Sequence, residues 1–167
     1  MEKCNKNYKL ETTWILWSHK LDNTSWDNKS YKKIFEINNL YDYKLINDII
    51  TINNLQNSMF FLMRKNIFPT WEDPDNREGC CISFKISGGI LKEQWDFIMN
   101  NVLIEDILKD KSNSEYLNGI SISPKKEFNI VKLWLRKNDE NYTDHLKEYE
   151  PYFTKEKSLI KKHELSD

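Results

Sequence analysis

The chain is predicted to fold as a single α+β domain, one curved antiparallel β-sheet with helices packed on one face. Three observations predict it. Short apolar runs rich in aromatic and β-branched residues recur between polar loops, as strands do. Two longer stretches carry apolar residues at helical spacing instead. Two of the strand-like runs flank Pro124-Lys125-Lys126-Glu127, a hairpin-like connection. The resulting order, β-β-α-β-β-α-β-β-α-β, places antiparallel neighbours among interspersed helices.

Residues 1–9 are polar and read as a loose tail. Leu10–His19 is the first strand, and residues 20–28 are a polar loop holding Trp26. Tyr31–Ile37 is the second strand. Leu40–Ile50 has apolar residues at 40, 43, 46, 49 and 50, which predicts a helix. Asn53-Asn54 is expected to break the chain. Ser58–Met63 reads as a buried third strand, and Gly79–Ile86 as a fourth, antiparallel to the third. Ile90–Leu108 is the longest helix, with Leu91, Trp95, Ile98, Met99, Val102 and Leu103 on one side. Leu117–Ser123 and Phe128–Leu135 form the hairpin. Asp139–Tyr149 is a helix candidate and Ser158–Leu165 a last edge strand. No linker or repeat divides the 167 residues, so residues 1–167 are taken as one domain, long enough to bury a real core.

Composition narrows the function. A formal net charge of -1 excludes a general nucleic-acid coat, so any contact with nucleic acid needs a local basic patch. Three Cys, an odd number, argue against a disulfide framework and point to a reducing compartment, the cytoplasm or the nucleus. No apolar leader is visible, and no run is long enough to span a membrane. No Cys/His spacing suits zinc, and His19, at the end of an aromatic strand, reads as structural. Asp73-Pro74-Asp75-Asn76 opens like a calcium loop but lacks Gly at the sixth position and Glu at the twelfth, where Glu78 and Phe84 stand. Arg77-Glu78-Gly79 has Cys81-Ile82 where a Nudix-type helix needs acids, and neither a nucleophile elbow nor a phosphate loop is present. No catalytic constellation emerges, and no cofactor or metal is implied. The expected class is a binding protein, not an enzyme.

The most informative stretch is Phe68-Pro69-Thr70-Trp71-Glu72-Asp73-Pro74-Asp75-Asn76-Arg77. Its prolines, Asp and Asn make it a loop, yet it carries a Trp followed at once by a Glu. An indole offers a flat electron-rich face, and a carboxylate offers two acceptors. A guanine edge presents two adjacent donors, N1–H and N2–H, which one carboxylate can accept while the aromatic face stacks on the ring. A positively charged base such as 7-methylguanine adds a cation–π attraction of roughly 0.5–2 kcal/mol. Trp26, in the other strongly polar loop, is the candidate for the opposite face of a sandwich. The alternative is that Trp71 folds back onto the core and Glu72 is merely solvated. A second stretch, residues 121–137, sets Lys125, Lys126, Lys132, Arg136 and Lys137 against a single acid, Glu127, a cluster suited to phosphates. Lys132 and Trp134 share a strand face. Without a ligand the same cluster is a solvated basic edge.

These residues resemble the cap-binding translation initiation factor 4E family. Trp14-Ile15-Leu16-Trp17 looks like the family's W-x-L-W, with Trp26 following where the family places its first cap-stacking Trp. Pro69-Thr70-Trp71-Glu72-Asp73 looks like its P-x-W-E-D, with the second stacking Trp and the guanine-reading Glu. Trp95 matches the Trp of the long helix, and Gly119–Trp134 a G…W segment. The match covers about residues 8–136. It implies a single curved antiparallel sheet with three helices packed on its convex face and a cap slot on the concave one. It also implies Trp26 and Trp71 stacking on the base, Glu72 reading its edge and Trp134 near the N-methyl group. Lys125 stands for a phosphate-binding Arg, helped by Lys126 or Lys132. The implied ligand is capped mRNA, bound by a monomer acting in translation initiation, or by a repressor that sequesters caps. A nucleotide-processing enzyme with a similar aromatic slot is the more distant alternative.

Departures from the family pattern are specific. A second phosphate Lys falls on Ile130, and an Arg on the strand after the W-E-D loop falls on Cys80. On the convex face, where the family docks an amphipathic helix of a scaffold or repressor protein, the first-helix Trp falls on Tyr43 or Lys44. Two further apolar positions there are Asp96 and Asn100, and Tyr8-Lys9-Leu10 replaces His-Pro-Leu. The residues left to form a partner surface are Tyr8, Leu10, Leu40 and Tyr43, and contact there is expected to be weakened.

Overall fold

In the computed structural model, which describes residues 8–139 and 141–165, one seven-stranded sheet organises the chain. Its strands are β1 (Lys9–Lys20), β2 (Tyr31–Asn39), β3 (Ser58–Arg64), β4 (Cys80–Ser87), β5 (Leu117–Pro124), β6 (Phe128–Leu135) and β7 (Leu159–Lys162). Their spatial order is β2-β1-β3-β5-β6-β4-β7, and every pairing is antiparallel. The helices are α1 (Leu40–Ile49), α2 (Ile52–Asn57), α3 (Leu91–Leu103) and the single turn α4 (Tyr142–His145).

Side-chain alternation along β1 separates two cores. Trp14 and Leu16 point to the convex side, where they join Ile82, Ile120 and Leu133 under Tyr43 and Ile46 of α1, Leu55 of α2, and Trp95, Ile98 and Val102 of α3. Trp17 points to the concave side, beside a smaller cluster of Phe61, Met63, Ile67, Cys81 and Trp134. The central strands are therefore covered on both faces, and β5, which turns Ile120 and Ile122 to the helices and Gly119, Ser121 and Ser123 to the slot side, is buried along nearly its whole length. Gly119 on β5 has no room for a side chain, because a Cβ would collide with the Leu62 carbonyl and the Met63 sulfur.

The fold class agrees with the expectation from sequence, and several elements differ for physical reasons. Asn53-Asn54 does not break the chain: Thr51 caps α2 in a capping box with Asn54, the side chain of each accepting from the backbone of the other. Strands β3 and β4 run antiparallel but are not neighbours. Strands β5 and β6 lie between them, and β4 pairs with β6 and β7. The long helix stops at Leu103, because Glu105 adopts a left-handed conformation (φ 59°) and turns inward to meet Arg64 at 2.7 Å. Asp139–Tyr149 yields only α4. Beyond it the chain is extended, bridging Leu146 to Leu108 and donating from Lys147 N–H to the Ile107 carbonyl at 2.8 Å. Of the expected loose tail, residues 1–7 lie outside the described residues. Lys9 is already in β1, and Tyr8 accepts a hydrogen bond from Leu40 N–H at 3.0 Å. Among the described residues no helix is long and apolar enough to cross a membrane.

Candidate functional site

Two loops meet over the concave face. The β1–β2 loop carries Trp26 and the β3–β4 loop carries Trp71 and Glu72. Together with Tyr31, Phe61, Lys132 and Trp134 they line one cavity of about 410 Å³, within the usual range for a small-ligand site. Its floor is aromatic: Tyr31 meets Phe61 and Phe68 edge-on at 5.5 and 5.2 Å, and Trp134 meets Phe61 at 6.1 Å. Trp134 is fixed by donating its indole N–H to Ser121 Oγ at 3.0 Å.

The Trp71 loop is rigidly built. Asp73 accepts from Phe68 N–H and Asp75 N–H, each at 2.9 Å, closing the loop on itself. Asn76, fully buried, donates to the Phe68 and Thr70 carbonyls at 2.9 Å and accepts from Asn118 at 2.9 Å. Gly79 follows, where a Cβ would strike the Leu135 carbonyl. Behind the indole stands His163, nearly parallel to Trp71 with centroids 5.4 Å apart. Its Nδ1–H donates to the Asn76 carbonyl at 2.6 Å, so its Nε2 accepts from the Cys81 thiol at 3.0 Å. Burial lowers the His163 pKa, with nearby Lys132 adding to the effect. Burial also pushes the Cys81 thiol up to about 12. Both shifts favour the neutral pair that this hydrogen bond requires.

Trp26 is presented differently. It is 54% exposed and lies flat on buried His19, centroids 4.0 Å apart and planes 6° from parallel. His19 holds the loop through its ring nitrogens, 2.9 Å from the Lys20 carbonyl and 2.8 Å from that of Ser25. Each loop tryptophan is thus backed by a histidine. Charge enters through Glu72, exposed at the rim. Burial first and the Glu72 charge second raise the Tyr31 hydroxyl to about 12.

Trp26, Trp71, Glu72, Trp134 and Lys132 are brought together. Lys125 and Lys126 are not: they line a separate hollow of about 320 Å³ with Gln56, Gly88 and Phe128. Cys80 belongs to the helix-side core, and it is Cys81 that faces the slot. On the convex side Leu10 and Tyr43 are buried and Leu40 half-buried, so of the four expected partner residues only Tyr8 is freely exposed. Tyr43 donates to the Asp96 carbonyl at 3.4 Å, and Asp96 pairs with Lys92 at 2.6 Å. The exposed apolar groups of α1 are instead Tyr41, Leu45 and Ile49. A larger hollow, about 660 Å³, opens between Leu108, Tyr116 and Tyr142, away from the aromatic slot. No cluster of three or more metal-ligating side chains exists among the described residues.

Sequence reasoning misses Asn76, His163 and Lys161, and the part played by His19. His19 is structural, as its place in the strand suggests, but its structural task is to support Trp26. Lys161 on β7 pairs with Cys81 in register and holds its ammonium 5.9 Å from the Trp71 ring centre. The Pro-Asp-Asn turn after Trp71 is the available signal for Asn76. Nothing local marks His163, which lies 92 residues beyond Trp71.

Fold and site define an α+β binding domain with an aromatic slot on the concave face of a single sheet. The model of the eukaryotic initiation factor 4E family matches residues 9–157, and the chain belongs to that family. The members of that family are binding proteins rather than enzymes. A curated relative, the initiation factor 4E homolog of Acanthamoeba polyphaga mimivirus, is 25% identical over 138 residues, covering 70% of this chain and 51% of the relative. The chain thus spans about half the length of that relative. Similar solved structures include Ascaris suum eIF4E-3 with m7G cap, at a TM-score of 0.72 and 21% identity, covering 81% of this chain and 77% of that one. A schistosome eIF4E complexed with m7GpppA and 4E-BP gives 0.70 and 15%, covering 82% and 76%. At these identities the structural likeness speaks for the fold alone.

Proposed function

We propose that this chain binds the 7-methylguanosine cap of mRNA and acts in translation initiation. The observation that carries the reading is the convergence of Trp26, Trp71 and Glu72 on one cavity with a fixed Trp134 at its floor. In this reading Trp26 and Trp71 sandwich the base, and the Glu72 carboxylate accepts N1–H and N2–H. Trp134 packs near the N-methyl group, and Lys132 meets the first phosphates. The positive charge of the methylated ring favours it over guanine between two indoles.

A second reading, a protein that holds caps without recruiting the usual scaffold, is favoured by the convex face. There Leu10 and Tyr43 are buried and Asp96 is tied to Lys92. A scaffold-type Y-x-x-x-x-L-Φ peptide bound strongly by the protein would argue against it.

The test is intrinsic tryptophan fluorescence titrated with 7-methyl-GTP and with GTP. Saturable quenching by the methylated nucleotide and much weaker quenching by GTP is expected. Glu72→Ala removes two charge-assisted hydrogen bonds and should weaken binding roughly a hundredfold. Full affinity in that variant would refute the role given to Glu72.

A further inference from the structure

Strand β6 continues past the slot as a basic and aromatic track. From Trp134 the same face presents Lys132, Ile130 and Phe128 at alternate positions. Phe128 lies ~20 Å along the strand from Trp134 at about 3.3 Å per residue, further than a single cap nucleotide reaches. On the neighbouring strand Lys85 pairs with Ile130 and so stands between Lys132 and Phe128. It is exposed where Phe84 and Ile86 on either side are buried, and its ammonium sits 4.1 Å from the centre of the Phe128 ring. A flexible lysine side chain thus covers one face of a half-buried aromatic ring. Beyond it the hairpin turn carries Lys125, Lys126 and Glu127, which with Phe128 line a hollow at the end of the sheet that Gln56 and Leu91 close on the helix side. Among the described residues, Lys85, Lys125, Lys126 and Lys132 have no carboxylate within 4.0 Å.

We propose that the Lys85–Phe128 pair, with Lys125 and Lys126, is a subsite for the single-stranded RNA that follows the cap. This rests on the cap reading of the slot. A base of the first transcribed nucleotides stacks on Phe128 while Lys85 swings from the ring to an adjoining phosphate. Lys125 and Lys126 take the phosphates beyond. Stacking on an aromatic face tolerates any base, so the track accepts RNA without sequence preference. It also gives Lys125 and Lys126, which stand apart from the slot, a phosphate to bind.

The test compares three ligands by fluorescence titration: 7-methyl-GTP, a 7-methylguanosine-capped five-nucleotide RNA, and the same RNA uncapped. The capped RNA should bind on the order of tenfold more tightly than 7-methyl-GTP, and the uncapped RNA more weakly than either. Lys85→Gln and Phe128→Leu should each abolish most of that gain and leave 7-methyl-GTP affinity unchanged. Lys85 is exposed, so its substitution gives up only the contact with the Phe128 ring and stands as the decisive variant should Phe128→Leu unfold. Lys125→Ser with Lys126→Ser should reduce the slope of log affinity against log salt for capped RNA by about 0.7 for each phosphate no longer neutralised. Capped RNA binding no more tightly than 7-methyl-GTP, or a gain that survives in Lys85→Gln, overturns the subsite and leaves the cap reading standing. Failure of the unaltered protein to bind 7-methyl-GTP overturns both.

Discussion

Asn76→Ala tests whether the aim of Trp71 is set by the loop's own hydrogen bonds. The Asn76 side chain is fully buried. It makes three hydrogen bonds of 2.9 Å, to the carbonyls of Phe68 and Thr70 and from Asn118. Alanine removes all three and strands two carbonyls and an amide N–H in the interior. At a net ~0.5–1.5 kcal/mol per bond the loss is about 2–4 kcal/mol. For a domain of this size each kcal/mol lowers Tm by about 2–4 °C, so a fall of about 10 °C is expected. Phe68 and Thr70 lead into Trp71, so part of the loss emerges as a loop that no longer holds one conformation. If the competent conformation falls to about a tenth of the population, apparent affinity falls tenfold. The assay pairs thermal unfolding with a 7-methyl-GTP titration run well below the new Tm. Unchanged affinity in a protein whose Tm has dropped would show that Trp71 is aimed by something other than Asn76. An unchanged Tm would refute the hydrogen-bond accounting itself.

Three further outcomes are expected. Glu105→Gln leaves Arg64, only 11% exposed at its side chain and also bonded to the Leu117 and Ser114 carbonyls, without its counter-ion. The cost should be about 3–5 kcal/mol, read as a lower Tm; a change under about 2 °C would remove this pair from the account of stability. Burial lowers the His163 pKa, so between that value and about 6.5 the unfolded chain binds a proton that the folded chain does not. The stabilising contribution is therefore complete above about pH 6.5 and lost as pH falls through the folded value. Tm should drop more between about pH 7.5 and 5.5 in the unaltered protein than in His163→Gln, and equal slopes would exonerate His163. Trp26→Ala, at a position 54% exposed, should leave Tm nearly unchanged and weaken 7-methyl-GTP binding about ten- to a hundredfold, the range for one base stacked on one aromatic ring. Retained affinity would exclude Trp26 from the sandwich.

The legible part of the molecule is what local pattern encodes. Short apolar and aromatic runs between polar loops locate every strand to within a few residues, and 3.6-residue spacing locates α1 and α3. The Trp71-Glu72 loop is visible because its polar turn chemistry conflicts with a large aromatic. What is not legible depends on partners distant in sequence. The end of α3 is decided by Glu105 reaching Arg64 on the helix side of β3, 41 residues away in sequence, and no periodicity announces that. The position of β4 at the far side of β5 and β6 is set by which strand pairs compete best, whereas adjacency in sequence suggests β3. Lys125 and Lys126 are basic and near the slot in sequence, yet the hairpin carries them past it, because the strand between them and Trp134 is ~25 Å long at about 3.3 Å per residue. His163 becomes a neighbour of Trp71 only when β7 adds to the edge of β4.

The two walls of the slot are not equivalent, and on the proposed cap reading the difference divides the work of recognition between them. Trp71 and Glu72 sit on a loop closed by Asp73, pinned by Asn76 and backed by His163. Trp26 sits on an exposed loop that touches the sheet mainly through His19. Ordering a group on binding opposes association, so a pre-ordered reader costs less than a mobile one. The directional contacts, those of a carboxylate to two base donors, therefore belong on the fixed wall, where an error in angle would be most damaging. The non-directional contact, an indole face that loses its exposure to water when a ring covers it, tolerates the less restrained wall. On this division Glu72→Gln should lower discrimination between guanine and adenine caps more than it lowers stacking. Trp26→Ala should weaken all caps alike and leave their ratio unchanged. Titrating both variants with 7-methyl-GTP and with its adenine counterpart separates the two effects, and a Trp26→Ala protein with altered base preference would show that both walls read the base.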